Sequence, residues 1–458
     1  MADSIPEDPP IPQHIQKDRE GFYKLCERLL HEVPPSSTQD QTGLAGYALL
    51  FLRIHEWDVG DAFSTSLTAW DSAIALAGEY IDAAVAVTDA HRQRQHAHGH
   101  IRSAESQCGF LCTDVGMHAV AFAIYRQLDR ERDAADHLRK VLDAATISEQ
   151  ASMSSELLYG RAGYLYALQF VRTHLADADE ERRAEIDRIA ARTYALIIED
   201  GQRTSRQWGL DHRTPLLWQW HGKAYLGAAH GTAGILTILM RWPELAKRYA
   251  PMLQVATDFV LFAIETWTFS VAGASEGVRN WPSSIRPVVS EQGDSPLERA
   301  YGRTNLFQFC HGAPGIGLCA LQAHATFGNR RYFDVAVRAA DATWVAGIGQ
   351  KGVGLCHGVA GNAYLQLLLL RHTEMTVYAD RVRALTLVCR LWESYTRNGT
   401  FRLPDHPWSL WEGLAGAVWL LADHLSYEVC VAMRDSDDAA ASNSDTFGPR
   451  GFPCLSDI

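Results

Sequence analysis

The sequence predicts an all-α protein in which two layers of helices close into a ring. Three observations lead to this fold class. A glycine pair spaced G-x-x-G recurs along the chain, an apolar helical run follows each pair, and amphipathic stretches lie between the copies. Alternating β-branched residues, the pattern typical of a half-buried strand, are nearly absent.

The glycine motif occurs in seven copies, and the incomplete copy "LCTDVGMHAVAFAIY" keeps only Gly116. The six complete pairs are Gly43/Gly46, Gly160/Gly163, Gly231/Gly234, Gly312/Gly315, Gly358/Gly361 and Gly413/Gly416. Glycine at a helix start lets backbones approach closely and leaves N–H groups unshielded. An open solenoid needs polar caps. Copies of the motif near both ends therefore favour a closed ring.

The stretches between the copies are predicted to form the outer layer. In "RDAADHLRKVLDAA" and "RRAEIDRIAARTYALIIED" the apolar residues fall at i, i+3 and i+4, so each helix has one face to pack on the inner layer. No linker divides the repeats, and residues 1–434 are predicted to form one toroidal domain. Residues 435–458 are predicted to be a low-complexity tail that ends in a short docking segment.

Two polar stretches are predicted to be loops. One is the histidine-rich "AHRQRQHAHGHIRSAES" from Ala90, and the other covers residues 283–303. The overall charge of −12 argues against non-specific nucleic-acid binding, which needs a basic surface. Nine scattered cysteines, no signal-peptide pattern and no apolar run long enough for a bilayer lead us to expect a cytoplasmic protein with mostly free thiols and no transmembrane segment.

Two motif copies carry a Cys-His-Gly sequence that indicates chemistry. Cys310 and Cys356 stand at equivalent places in two repeats, and His230 takes the histidine position of a third copy. Equivalent positions of a ring meet at the same rim. Two thiolates and an imidazole suit Zn²⁺, and three protein ligands leave a fourth position open, as in catalytic zinc sites. Spacing does not decide between His311 and His357 as a ligand.

These motifs resemble those of the lanthionine synthetase C-like family, and more closely its eukaryotic-type branch than the bacterial cyclases. The matching segments run from Leu157 to Gly416 and are "LLYGRAGYLYAL", "HGKAYLGAAHGTAGI", "FCHGAPGIGL", "KGVGLCHGVAGNAY" and "RLPDHPWSLWEGLAG". The resemblance implies an α/α toroid, a double ring of seven inner and seven outer helices with zinc at the rim. The family usually has tryptophan before the first zinc cysteine, where this chain has Phe309.

The resemblance also implies roles for single residues. By it, the zinc ligands are Cys310, Cys356 and His357, and His230 in "AAHGTAG" is the general acid/base. Lys351, which precedes Cys356 by five residues, resembles the basic residue that lies near the thiol substrate in the eukaryotic branch.

Arg402 in "RLPDHP" is a second candidate for contacting the thiol substrate. Three functions are compatible with the resemblance. The first is an enzyme that adds glutathione to dehydroalanine or dehydrobutyrine residues of proteins or peptides, with zinc as cofactor. The second is a peptide cyclase of a natural-product pathway, which would need a dedicated dehydratase and precursor peptide. The third is a glutathione-binding scaffold or regulator without turnover.

Overall fold

The computed structural model describes residues 13–35, 41–56, 73–97, 108–262, 279–285, 305–434 and 452–455. Within these residues the helices are α1 (Gln13–Glu32), α2 (Gln41–Glu56), α3 (Ala73–Ala97), α4 (Asp114–Gln127), α5 (Glu131–Asp143), α6 (Ala145–Ser148), α7 (Arg161–Thr173), α8 (Glu180–Gln207), α9 (Thr232–Met240), α10 (Pro243–Phe262), α11 (Ala313–Phe327), α12 (Arg330–Ala346), α13 (Val359–Thr373), α14 (Thr376–Arg390), α15 (Trp392–Arg397) and α16 (Leu414–Arg434). Two short strands, β1 (Ala224–Tyr225) and β2 (Ser284–Ile285), pair antiparallel.

Seven helices form a closed inner ring. Helices α2, α4, α7, α9, α11, α13 and α16 contact one another in this order, and α16 contacts α2 to complete the circle. The outer helices are α1, α3, α5, α8, α10, α12 and α14. Each outer helix packs on the inner ring, for example α3 on α2 and α4, and α1 on α16. This double ring confirms the predicted α/α toroid.

The two layers differ in burial as their sequences predict. Every residue of the inner helix α9 is buried. The outer helix α8 buries only one face, whose residues include Ile186, Ala190, Tyr194 and Ile197 at helical spacing. The inner ring therefore lies between the outer layer and the centre of the toroid, and its helices need apolar residues on all sides.

The second glycine of six of the seven motifs is required by a close backbone contact. A methyl group at this position would overlap the carbonyl oxygen of the residue six places earlier, whereas at Gly46 of the first motif it would meet only the Leu410 side chain. The pairs are Gly116 with Phe110, Gly163 with Leu157, Gly234 with Ala228, Gly315 with Phe309, Gly361 with Leu355, and Gly416 with Leu410. This contact explains why the incomplete copy keeps Gly116. There, Thr113 replaces the first glycine and caps α4 through a hydrogen bond from the Val115 N–H.

Two loop predictions are changed by the structure. The histidine-rich stretch from Ala90 was predicted to be a loop, but α3 continues through it to Ala97, and the rest lies outside the described residues. In the segment 283–303, Ser284 and Ile285 form β2, and residues 286–303 lie outside the described residues.

The hairpin before β1 uses left-handed backbone at His221 and Gly222.

One helix in the described part of the chain is long and apolar enough to cross a membrane. It is the Leu414–Ala432 stretch of α16, and 89% of this stretch is buried inside the protein. Because α16 is an inner-ring helix, its apolar surface is already covered by the neighbouring helices α1, α13, α14 and α2.

Candidate functional site

Backbone hydrogen bonds tie the loops before five inner helices into one rim. The Leu157 N–H donates to Ala229 O at 3.3 Å, and the Ala229 N–H donates to Cys310 O at 3.5 Å. The Cys310 N–H donates to Cys356 O at 3.2 Å, and the Cys356 N–H donates to Trp411 O at 2.8 Å. These bonds bring corresponding parts of successive repeats together, and they place both cysteines of the Cys-His-Gly motifs side by side.

Cys310, Cys356 and His357 come together at this rim. Their ligand atoms all lie within 4.8 Å of one another, and among the described residues they form the group of at least three such side chains that could hold a metal ion. Cys310 is buried, while Cys356 and His357 are half-buried. Two sulfurs and one imidazole nitrogen fit Zn²⁺, which takes four ligands and would keep one position for a substrate.

The surroundings of the two sulfurs favour loss of one thiol proton, at Cys310. The hydrogen bond from Cys356, together with His357, holds the pKa of Cys310 well below its usual value in spite of burial. Gln308 Nε2 also donates to Cys310 Sγ at 3.0 Å. Hydrogen bonds to a thiolate stabilise the charged form. The hydrogen bond to Cys310, followed by burial, raises the pKa of Cys356 well above its usual value, so the pair shares one proton and Cys310 is the thiolate.

His230 lies in a hydrogen-bonded dyad with Glu156. Its Nδ1 is 2.8 Å from Glu156 Oε2, and the Glu156 side chain is only 2% exposed. Glu156 is itself fixed, because it accepts hydrogen bonds from the N–H groups of Leu158 at 2.9 Å and Tyr159 at 2.6 Å. The imidazole stacks on Trp220, with ring centroids 3.8 Å apart and planes 5° from parallel. Nδ1 is thus committed to the carboxylate, which leaves Nε2 for proton exchange.

His311 follows Cys310 but does not join the group of three ligands. It is half-buried, its ring lies 5.5 Å from that of Tyr225, and its Nδ1 has no hydrogen-bond partner among the described residues. Burial lowers the pKa of His311, and the nearby His230 and Lys351 lower it further against the opposing effect of Cys310. His311 is therefore a neutral imidazole at neutral pH, close to both Cys310 and His230.

Lys351 and Arg402 lie side by side on the edge of the site. Both side chains are exposed, and the Arg402 N–H donates to the Gln350 carbonyl at 2.8 Å, so the two backbone segments run next to each other. The charge of Lys351 acts on both His311 and Cys356: it adds to the lowering of the His311 pKa by burial, and it opposes the larger effects that raise the Cys356 pKa. Lys351 is therefore close enough to influence an anionic molecule bound at the metal group.

A cavity of about 620 Å³ opens beside Cys356. Aromatic residues form much of its wall, namely Tyr47, Tyr159, Phe309, Trp408 and Trp411. Cys356 is the member of the metal group that lines it, and Ala229, the residue before His230, lines it as well. Its volume falls in the range of small-molecule and peptide-side-chain pockets, about 300–1,000 Å³.

Glu156 and Trp220 are site residues that the sequence analysis did not predict. Glu156 stands four positions before Gly160, in the loop that precedes α7. Its place in the sequence could have indicated a site residue, because Cys310 and Cys356 also lie in loops that lead into inner helices. Trp220 belongs to the hairpin at Trp220–Lys223, which carries no repeat signature.

Comparisons with known proteins agree with this geometry. A family profile described as lanthionine synthetase C-like protein matches residues 35–429. A zebrafish (Danio rerio) protein named glutathione S-transferase LANCL1 is 30% identical over 404 residues, which cover 88% of this chain and 85% of the relative. LanC-like protein GCL1 of Arabidopsis thaliana is 32% identical over 281 residues, covering 60% of this chain and 56% of the relative.

A solved structure shares the fold. Nisin cyclase superposes with a TM-score of 0.55, covering 90% of this chain and 94% of its own, at 14% sequence identity. At this identity the likeness concerns the architecture alone. It supports the double ring of helices, and the two sequence relatives, both eukaryotic, support the resemblance to the eukaryotic-type branch.

Proposed function

The chain belongs to the lanthionine synthetase C-like family, and on this premise we propose that it is a zinc-dependent enzyme that adds glutathione to dehydroalanine and dehydrobutyrine residues of proteins or peptides. The observation that carries the proposal is that Cys310, Cys356 and His357 form one group and that the His230–Glu156 dyad lies on the neighbouring loops of the same hydrogen-bonded rim. One group suits a thiol nucleophile, and the other suits proton transfer.

The metal group fits Zn²⁺ by the chemistry of its donors. Cys310, Cys356 and His357 would hold the ion, and Gln308 would orient the Cys310 sulfur through its hydrogen bond. When bound, Zn²⁺ supplies a Lewis acid that lowers the pKa of a thiol, so that a thiolate exists near neutral pH. The half-buried side of the group, at Cys356 and His357, is where a small thiol has access.

The residues of the chain account for the proton and charge balance. The glutathione sulfur forms a bond to the β-carbon of the dehydro residue, the carbon–carbon π bond breaks, and its electron pair moves toward the carbonyl oxygen. His230 Nε2 then delivers a proton to the α-carbon, while the thiol proton passes to solvent. Glu156, at 2.8 Å from Nδ1, holds the ring and stabilises its charged form. No oxidant or reductant is needed.

Two cations support glutathione as the thiol. Glutathione carries two carboxylates, and the net charge of the whole chain, −12, repels it. Lys351 and Arg402 are exposed, and their backbone segments are adjacent, so a carboxylate of a thiol bound at the metal group is proposed to contact one of them. The similarity to a protein named glutathione S-transferase supports the same choice of thiol.

Lys351→Ala is expected to raise the KM for glutathione and to leave the metal content unchanged. A charged hydrogen bond of this kind contributes about 1–3 kcal/mol, which corresponds to roughly a 5-fold to 150-fold change. Initial rates with glutathione and with mercaptoethanol, which has no carboxylate, would be compared for parental protein, Lys351→Ala and Lys351→Arg. Equal losses with both thiols would show that Lys351 does not bind the carboxylates.

The reaction itself is tested with purified protein, glutathione and a peptide that contains one dehydroalanine and no cysteine. We expect the peptide to gain the mass of one glutathione, at a rate proportional to protein concentration. Turnover only of a peptide that carries its own cysteine would indicate a cyclase. Binding of glutathione without any thioether product, in zinc-loaded protein, would indicate a scaffold or regulator.

A further inference from the structure

The C-terminal segment Phe452–Leu455 lies inside the toroid. Phe452 and Leu455 have no exposed surface, and Cys454 is 1% exposed. The segment forms a tight turn, in which the Leu455 N–H donates to Phe452 O at 3.2 Å and Cys454 takes left-handed backbone with φ 59°. Burial of a whole short turn requires specific contacts that hold it in place.

The contacts of Phe452 are aromatic and converge from three parts of the ring. Its ring stacks on Phe309, with centroids 4.1 Å apart and planes at 19°. It also lies 6.1 Å from Trp411 and meets the Tyr364 ring edge-on at 5.3 Å. Phe309 and Trp411 are themselves in contact at 6.1 Å. Aromatic pairs of this geometry are each worth about 0.5–1.5 kcal/mol beyond the area they bury.

Two of these contacts lie directly behind the metal group. Phe309 is the residue before Cys310, and both belong to the loop that leads into α11. The Trp411 carbonyl accepts the hydrogen bond from the Cys356 N–H at 2.8 Å. Phe452 therefore packs against the two backbone segments that position the two sulfurs, although it is distant from both in sequence.

Tyr364, the third aromatic neighbour of Phe452, is fixed by polar contacts in the inner ring. The Tyr364 hydroxyl of α13 donates a hydrogen bond to Asp423 of α16, which is fully buried. Asp423 Oδ1 lies 3.6 Å from Arg53 Nη2 of α2, so three inner helices are joined through Tyr364 and Asp423. We therefore expect that removing Phe452 loosens the loops of Phe309 and Trp411 and leaves these helices in place.

We propose that Phe452 is a positioning residue of the metal centre. By stacking on Phe309 and packing on Trp411, it holds Cys310 and Cys356 at the separation that one metal ion requires. The proposal rests on the proposed function only for the identity of the ion as Zn²⁺. Residues that orient metal ligands from behind typically change metal affinity by 10–100-fold when mutated.

The test measures metal binding directly and needs no enzymatic activity. Zinc affinity would be determined by competition with a chromogenic chelator for the full-length parental chain, Phe452→Ala and Phe452→Leu. Cobalt would then replace zinc, because its visible spectrum reports ligand geometry and its sulfur charge-transfer band reports the thiolates. We expect Phe452→Ala to bind zinc about 10–100-fold more weakly and to change the cobalt spectrum, with Phe452→Leu in between.

A matched variant separates positioning from general loss of stability. Phe51→Ala removes an equally buried ring, which stacks on Tyr80 between α2 and α3. Phe51 belongs to neither of the loops that carry Cys310 and Cys356. Phe51→Ala is expected to lower stability but to keep the parental zinc affinity and cobalt spectrum. If Phe452→Ala does not fold, Phe452→Leu decides the question by the same measurements. Parental affinity and spectrum in the folded Phe452 variants would overturn the proposal, whatever the outcome for glutathione addition.

Discussion

His230 is held between a buried carboxylate and the face of a tryptophan. The Glu156 hydrogen bond to Nδ1 fixes which nitrogen exchanges protons, and the carboxylate stabilises the ring when it is charged. The parallel Trp220 ring restricts the imidazole to one plane. Because Glu156 is anchored by two backbone N–H groups, the dyad keeps its geometry before a substrate arrives. This arrangement suits an acid that must deliver a proton to a carbon atom.

His230→Ala is expected to lower kcat for thioether formation by about 10²–10⁴-fold, the usual contribution of a positioned acid or base. Zinc content should stay at the parental value, since His230 is not among the three grouped ligands. His212→Ala, which removes an exposed histidine in the loop after α8, is the control. Near-parental kcat in His230→Ala would assign the dyad to structure and direct attention to His311.

Glu156→Gln tests whether Glu156 acts by positioning the His230 ring through its hydrogen bond to Nδ1. The amide oxygen can still accept the hydrogen bond from Nδ1 and keep the ring in place, whereas Glu156→Ala removes this hydrogen bond. kcat should therefore fall less in Glu156→Gln than in Glu156→Ala, and less than in His230→Ala. Equal kcat in Glu156→Gln and Glu156→Ala would contradict the role given to Glu156.

Some residues of the site could be predicted from the sequence because they occupy equivalent positions in different repeats. Cys310 and Cys356 occupy equivalent positions, so a ring had to bring them together. His311 and His357 also follow equivalent cysteines, and spacing could not separate them. The structure does so, because His357 joins both sulfurs while His311 packs near Tyr225. That His357 binds zinc stays a prediction, as do the roles of Lys351 and Arg402.

The glycine motifs act at the level of the helix start. In six of the seven motifs the carbonyl of a residue in the preceding loop packs against the second glycine, and the loops before five inner helices are joined around the rim by backbone hydrogen bonds. The helix start, the loop and the ligand are therefore one rigid unit. Gly361 is the instructive case, because the carbonyl on its Cα belongs to Leu355, the neighbour of Cys356.

Gly361→Ala is expected to lower the free energy of unfolding by about 1–3 kcal/mol, the usual cost of forcing extra volume into a packed site. Zinc affinity should fall as well, because the displaced Leu355 carbonyl moves the Cys356 backbone. Gly349→Ala is the matched control, since a methyl group there meets open space. Urea unfolding and chelator competition would measure both. A Gly361→Ala protein with parental stability would contradict the close contact.

A buried histidine pair joins α4 to α5. His118 and His137 share a hydrogen bond between their Nδ1 atoms at 3.1 Å, and Arg92 of α3 lies 3.3 Å from His118 Nε2. Burial, followed by the neighbouring His137 and Arg92, lowers the pKa of His118 to about 2. Burial, followed by Lys140, lowers the pKa of His137 to about 4 against the nearby carboxylates. Both rings are therefore neutral in the folded protein at neutral pH.

This pair should make the toroid less stable in mild acid. The ordinary histidine pKa is about 6.5, so between pH 6.5 and 4 the unfolded chain binds protons that the folded chain does not. The stabilising contribution is complete above about pH 6.5 and is lost as the pH falls toward 4. In metal-free protein, His137→Phe should show a shallower decline of unfolding free energy over this range. Parallel declines for both proteins would contradict the assignment.

The extent of α3 shows where element prediction failed. The stretch from Ala90 predicts a loop because it is polar and rich in histidine. Its alanine, arginine and glutamine residues are nevertheless good helix formers, and a helix of the outer layer can end in a polar turn beyond the core. Gln93 and Arg94 are exposed, and exposure does not exclude a helix.

At the scale of the whole molecule, ring closure is what assembles the site. The seven repeats predicted the double ring because each has one apolar and one amphipathic helix, and the contact of α16 with α2 closes it. The burial of Phe452–Leu455 beneath the metal group depends on contacts between distant residues, such as Phe452 with Phe309, that no periodic pattern encodes. The division of the chain at residue 434 stays a prediction.

The most direct measurement follows zinc content and glutathione adduct formation together in the parental protein, Cys310→Ala, Cys356→Ala and Cys319→Ala. Cys319 is the control, because it is a buried free cysteine of α11 outside the metal group. The account predicts that the first two variants lose both zinc and adduct formation, since only two ligands remain, while Cys319→Ala keeps both. Adduct formation at the parental rate by either zinc-free variant would contradict it.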